Sequence, residues 1–286
     1  MFDTVAAVLV LDRDLDRGLF LGQSVQIPFE DAMPRVRMWR SARKGSATYQ
    51  PHVHWWPQRR MLRVEFSIPK MAQLPAMANV TTADVSLAIQ SVDVFLERIF
   101  GKMPSVWDWR CVRVDYSWNW QVGEHVRSYL AVVRGLTMGR AQRQEHGTSV
   151  YFEQKQRVVK FYDKSQQALL ADGVLRFEVS HFGRAVKNIA LAFDGKRSVY
   201  DMLKVSRARF SMSRVFELLG LGNADVYESS HALHALVRAN FKRPTAAYGA
   251  LMLIREHGAN ARRDGLLGEA IITVGLRASV SVGCWH

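Results

Sequence analysis

Strict alternation between apolar and charged residues, recurring in four short segments, constrains this chain more than any other feature. In the run Trp109 to Trp120, Arg113, Asp115, Ser117 and Asn119 fall on one face of an extended strand. Val112, Val114, Tyr116, Trp118 and Trp120 fall on the other. Met61 to Phe66 sets Arg63 and Glu65 against Leu62, Val64 and Phe66. Val158 to Lys164 sets Lys160, Tyr162 and Lys164 against Val159 and Phe161, and Val174 to Val179 sets Arg176 and Glu178 against Leu175, Phe177 and Val179. A sheet that buries its apolar face under helices and leaves the other as a polar working surface satisfies all four. A solvated face laced with inert Arg–Glu pairs would read the same way.

The polar residues carry specific chemistry. Tyr162 sits between Lys160 and Lys164, and nearby positive charge favours phenolate, which makes it a candidate nucleophile toward a phosphodiester. Asp115 and Glu178 offer the oxygen donors that a hard divalent cation takes. Pro51-His52-Val53-His54 is a rival, with two imidazoles on one face of a short strand, available as metal ligands, as DNA contacts or as structural residues. Trp55 and Trp56 follow directly, as a partly buried strand end or a base-stacking platform. Cys111 alternates with Arg113, which puts it on the polar face of a regular strand. With Cys284 as the other cysteine, no disulfide and a reducing compartment are expected.

Helices follow from period and punctuation. Thr81 and Asp84 form a capping pair ahead of the stripe Val85, Ala88, Ile89, Val92, Phe95, Leu96 and Ile99, and Gly101 stops it. A shorter helix is expected from about Glu124 to Arg134. Val5 to Leu11 reads as a first strand and is too short to span a bilayer. The expected class is α+β, a largely antiparallel sheet with helices on one face, followed by a helical C-terminal region. Residues 1–196 are expected as the α+β domain and 197–286 as the helical region, with helices over Ser198–Leu219, Tyr227–Phe241, Thr245–His257 and Arg262–Val274. That region either grips duplex DNA or packs on the sheet.

Lysine and arginine total 39 against 26 aspartates and glutamates, a formal charge of +13, which suits a polyanion and predicts salt-sensitive binding. Eight tryptophans and eight tyrosines among the arginines add stacking surfaces, although most such rings go to the core.

The segments LRVEFSIPK, VRVDYSWN, VYFEQKQRVVKFYDKS and LRFEVSH resemble, in this order, the signature blocks of filamentous-phage replication initiation proteins of the gene II type. They are also similar to the initiators of some rolling-circle plasmids. The likeness covers roughly Met61 to His181. It implies a replication-initiator or RRM-like fold and a nickase that holds the 5′ phosphate of a cut strand as a phosphotyrosyl ester before resealing it. Carried over by position, Tyr162 is the nucleophile and Lys164 its charge-balancing partner. Asp115 and Glu178 are ligands for Mg²⁺ or Mn²⁺. Asn119 stands where an acidic ligand often follows, and its amide carbonyl takes that place. Arg63, Arg113, Lys160 and Arg176 are the expected DNA contacts, and His52 with His54 is the alternative metal pair. The implied partners are origin DNA, single-stranded and duplex, and a host helicase, in the cytoplasm of a bacterium carrying the phage or plasmid. Another function class stays open: a DNA-binding or regulatory protein of the same fold without the chemistry.

Overall fold

The structure is a computed structural model, and it describes residues 1–15, 25–27, 35–37, 49–75, 78–166 and 173–219. In chain order the elements are β1 (Phe2–Val10), β2 (Val25–Ile27), β3 (Arg35–Arg37), β4 (His52–Trp56), β5 (Met61–Ser67), α1 (Ile68–Met71), α2 (Thr82–Phe100) and β6 (Arg110–Gln121). They continue with α3 (Val126–Arg134), β7 (Gln142–His146), β8 (Ser149–Gln154), β9 (Arg157–Asp163), β10 (Val174–Phe182), α4 (Arg184–Leu191), α5 (Val199–Met202) and α6 (Val205–Leu218). The class is α+β with a large antiparallel sheet, as the alternation requires. Two compact units share the chain: Met1–Trp118 with Ser180–Ala208, and Asn119–Val179 with the chain from Arg209 onward. Both draw residues from β6 and β10. These limits interleave and do not fall at the expected 196/197 boundary.

In the first unit the strands run β2-β3-β4-β5-β1-β6, with the end of β10 beside β6. Strand β5 shows the period of two in its burial: Leu62, Val64 and Phe66 are fully buried while Arg63 and Glu65 stay half-open. Helix α2 begins as expected. The Thr81 hydroxyl accepts from the Asp84 amide, and the Asp84 carboxylate accepts from the Thr81 amide at 2.8 Å. Its stripe Val85, Ala88, Ile89, Val92, Leu96 and Phe100 is buried. Asp93 ties the helix to the turn before β6, accepting from Ser105 Oγ at 2.6 Å and from the Val106 amide at 2.8 Å.

Strand β6 departs from regular alternation. Ala6 pairs with Arg113 but Ala7 pairs with Cys111, so Val112 is an extra residue, a β-bulge. The bulge turns Cys111 away from the face of Arg113 and into the core, where it is fully buried and its thiol is pushed up to about 12 by burial. The expectation that Cys111 lies on the polar face is thereby corrected.

In the second unit the end of β6 is followed by β10, β9, β8 and β7. The apolar faces meet in an aromatic cluster centred on Phe177, which lies 4.8 Å from Phe161, 6.0 Å from Trp120 and 5.2 Å from Phe216, ring centre to ring centre. Phe216 comes from α6, so this helix packs onto the sheet. A close backbone approach fixes the start of β10. The Val122 and Gly123 amides both donate to the Gly173 carbonyl, at 2.8 and 3.0 Å. A Cβ on Gly173 would stand 2.6 Å from Gly123 Cα, and its φ of +69° is in the region glycine favours.

The helix expected over Ser198–Leu219 is broken into α5 and α6 at Leu203 and Lys204. The helices expected over Tyr227–Phe241, Thr245–His257 and Arg262–Val274 lie outside the described residues. Strands β2, β3 and β7 and helices α1 and α4 were not expected. Among the described residues, no helix is long and apolar enough to cross a membrane.

Candidate active site

In the second unit the polar faces of β9 and β10 bring Tyr162, Lys160, Glu178 and Arg176 together. Register places Lys160 opposite Tyr151 and Tyr162 opposite Ser149, so Lys160 and Tyr162 share a face as the alternation predicted. Both reach the same carboxylate. Lys160 Nζ donates to Glu178 Oε1 at 2.7 Å, and Tyr162 Oη donates to Glu178 Oε2 at 3.3 Å. Arg176 Nε lies 3.6 Å from Glu178 Oε2, and Arg176 Nη1 donates to Asn119 Oδ1 at 3.1 Å. Burial pushes the Glu178 carboxyl up, but the charges of Lys160 and Arg176 and the two hydrogen bonds outweigh it and hold the group below the usual carboxylate range.

This face is not solvated. Tyr162 is 7 % exposed, Glu178 5 % and Arg176 3 %. The site is therefore a drier, lower-dielectric place than the alternation alone suggests, and its charges interact more strongly for it. Lys164 was expected on the strand with Tyr162. Instead β9 ends at Asp163, whose carboxylate accepts from the Ser165 amide at 3.0 Å and from Ser165 Oγ at 2.6 Å, and the chain turns. From that turn Lys164 Nζ still comes within 5.6 Å of the Tyr162 ring centre.

In the first unit a second polar network forms. Arg113 grips Asp115 with two donors, Nε to Oδ1 at 3.0 Å and Nη2 to Oδ2 at 2.6 Å. Its Nη1 donates to Glu65 Oε1 at 2.6 Å, and Arg63 Nη2 donates to Glu65 Oε2 at 2.6 Å. Glu65 and Arg113 lie two strands apart, on β5 and β6, with Ala6 of β1 between them in the same cross-strand row. The small side chain of Ala6 leaves the space across which they meet. Glu65 was no candidate in the sequence, yet it links the two arginines. The only hint was the Arg-x-Glu alternation of its own strand.

The expected metal donors, Asp115, Glu178 and Asn119, each have an occupied oxygen. Asp115 is held by the Arg113 guanidinium, Glu178 by Lys160, Tyr162 and Arg176, and the Asn119 carbonyl by Arg176. Among the described residues no three His, Cys, Asp or Glu side chains cluster closely enough to hold a metal ion. Within either unit, then, the donor set as it stands does not fit a hard divalent cation, which needs several oxygens not already matched by cationic groups. His52 and His54 lie on β4, opposite Glu65 and Arg63 respectively.

The chain matches no protein-family model and no curated protein. Among solved structures it is similar to the rolling circle replication initiator protein from Geobacillus stearothermophilus, with a TM-score of 0.33 and 10% sequence identity over 78% of this chain and 97% of that one. The chemistry of the site rests on its own residues.

Proposed function

We propose that this protein is a DNA nickase and strand transferase that starts rolling-circle replication, with Tyr162 as nucleophile. The observation that supports this most directly is the hydrogen bond from Tyr162 Oη to a carboxylate held ionised between Lys160 and Arg176. A phenol becomes a competent nucleophile when a base takes its proton as it attacks. In the proposed step Tyr162 Oη attacks the scissile phosphorus and the Tyr–O–P bond forms. The P–O3′ bond breaks, Glu178 accepts the phenolic proton, and the departing 3′ oxygen takes a proton from water. Lys160 and Arg176, which flank Glu178, supply positive charge against the charge that builds on the phosphoryl oxygens. Reversal by a free 3′ hydroxyl reseals the strand and returns the proton to Tyr162.

Mg²⁺ or Mn²⁺, implied by the resemblance, would polarise the phosphate if bound. No step above passes through it, because the carboxylates here are already neutralised by nitrogen cations. DNA is the proposed partner on the strength of the charge and this site, and the helicase stays an implication of the resemblance.

The test is a covalent one. Labelled single-stranded oligonucleotides tiling the replicon that encodes the protein are incubated with it, with and without EDTA, and denatured. A label that stays with the protein through denaturation, absent with Tyr162→Phe, is the expected result. Failure of every oligonucleotide and of the supercoiled replicon to form an adduct overturns the reading.

A further inference from the structure

Strands β4, β5, β1 and β6 of the first unit carry two adjacent cross-strand rows that the nicking chemistry does not use. One row is basic: His54 pairs with Arg63, Arg63 with Val8, and Val8 with the exposed Arg110. The next row is apolar: Trp56 pairs with Met61 and Met61 with Val10. Trp56 and Met61 are half-buried and Val10 is 64% exposed. The two rows are joined by aromatic stacking, since the His54 and Trp56 rings lie 6.0 Å apart, centre to centre, and within 17° of parallel.

We propose that this face is a binding track for single-stranded DNA, with an unpaired base stacked on the Trp56–His54 pair and the backbone running along the basic row. Parallel strands of side chains, one apolar and flat, the next cationic, match the two chemistries of a single strand: planar bases on one side and phosphates on the other. A duplex hides its base faces and would gain only the phosphate contacts. The net charge of +13 supplies the long-range attraction. This inference takes from the proposed function only that the polymer is DNA, and it stands whether or not Tyr162 is the nucleophile.

The test uses Tyr162→Phe protein, so that no strand is cut, and a fluorescein-labelled oligodeoxythymidylate read by anisotropy. Adding Trp56→Ala is expected to weaken binding about tenfold, while Trp56→Phe stays within about threefold. The slope of log affinity against log salt is expected to stay the same, because a base contact is lost and no phosphate contact. With an oligonucleotide of the same length built from abasic sites, Trp56→Ala and its parent are expected to bind equally. Trp107→Ala, another half-exposed indole of the first unit, serves as control and is expected to change nothing. Should Trp56→Ala fail to fold by circular dichroism, Trp56→Phe and the abasic oligonucleotide decide alone. Equal loss on normal and abasic strands, tighter binding of duplex than of single strand, or no loss at all would each overturn the proposal.

Discussion

The two polar networks look alike in sequence and differ in the groups they bring together. On β5 and β6, Arg63, Glu65, Arg113 and Asp115 form an alternating chain of two cations and two carboxylates, joined by hydrogen bonds of 2.6 to 3.0 Å. On β9 and β10, Lys160 and Arg176 face the Glu178 carboxylate, with a phenol on its second oxygen. The first network fixes neighbouring strands to one another through its arginines. The second keeps a carboxylate base beside a phenol. The Arg-x-acid pattern therefore marks two different roles, and the proposed chemistry belongs to the network with the phenol.

The sharpest way to break this contrast is Tyr162→Phe. It removes one oxygen and is expected to lower covalent adduct below detection, a loss of more than about a thousandfold, with oligonucleotide binding and melting temperature nearly unchanged. Tyr151→Phe, opposite Lys160 on β8, is expected to keep adduct formation. If the adduct survives in the first variant and disappears in the second, the nucleophile is Tyr151.

Next in size is the comparison of the two acids. Glu178→Gln keeps the shape but takes no proton, and is expected to slow adduct formation by about a hundredfold. Asp115→Ala takes the buried partner from two of the Arg113 donors and leaves that guanidinium its Glu65 bond, and is expected to cost about 3 kcal/mol of unfolding free energy, measured in urea. Nicking is expected to persist in whatever fraction remains folded. The outcome that moves the chemistry to a metal is a folded Asp115→Ala protein without activity that millimolar Mn²⁺ restores. The same titration on the His52→Ala, His54→Ala double variant, expected to nick normally, tests the histidine alternative.

A smaller expected effect concerns pH. The Glu178 carboxyl is held below its ordinary value, so its contribution to stability is fully present above the unfolded-state value of about 4.3 and is lost as pH falls through the lowered folded value. Wild type is expected to lose stability more steeply below pH 4 than Glu178→Gln, and the two are expected to run parallel between pH 5 and 8. Parallel curves below pH 4 as well would mean that Lys160 and Arg176 do not hold the carboxylate ionised.

A chain ending at Lys196 sharpens the division of the molecule. Such a chain lacks Met202, whose carbonyl accepts from the buried Tyr116 Oη at 2.7 Å, and Phe216, which packs on Phe177. It also lacks the buried Arg207, which donates to the Lys196 carbonyl at 2.6 Å and pairs with Asp194. The fragment is expected to be insoluble. A soluble, nicking fragment would restore the 1–196 boundary that the sequence suggested.

Much of this was legible in the chain. Period-two burial in β5, the shared face of Lys160 and Tyr162, the capping box of α2 and the glycine that stops it are local matters, and each is set by a residue's own neighbours. Strand β7 was not legible because Gln142–His146 is polar on both faces: it pairs with β8 through backbone bonds and has no apolar alternation to announce it. The bulge at Val112 was invisible for the opposite reason. The alternation of β6 is unbroken in sequence, and only its pairing with β1 shows that a residue is extra.

By itself, then, the sequence determined which side chains share a face in β5 and in β9 as far as Tyr162, the antiparallel α+β class that such faces require, and the candidate nucleophile with Lys160 beside it. Which carboxylate belongs to which cation was decided by tertiary structure alone. Arg113 and Glu65 are 48 residues apart in the chain and meet only because Ala6 lies between their strands. Glu178 became a partner of Tyr162 instead of a solvated charge because β10 is buried on both faces. Pairing and burial depend on residues distant in the chain, and charge chemistry depends on pairing and burial.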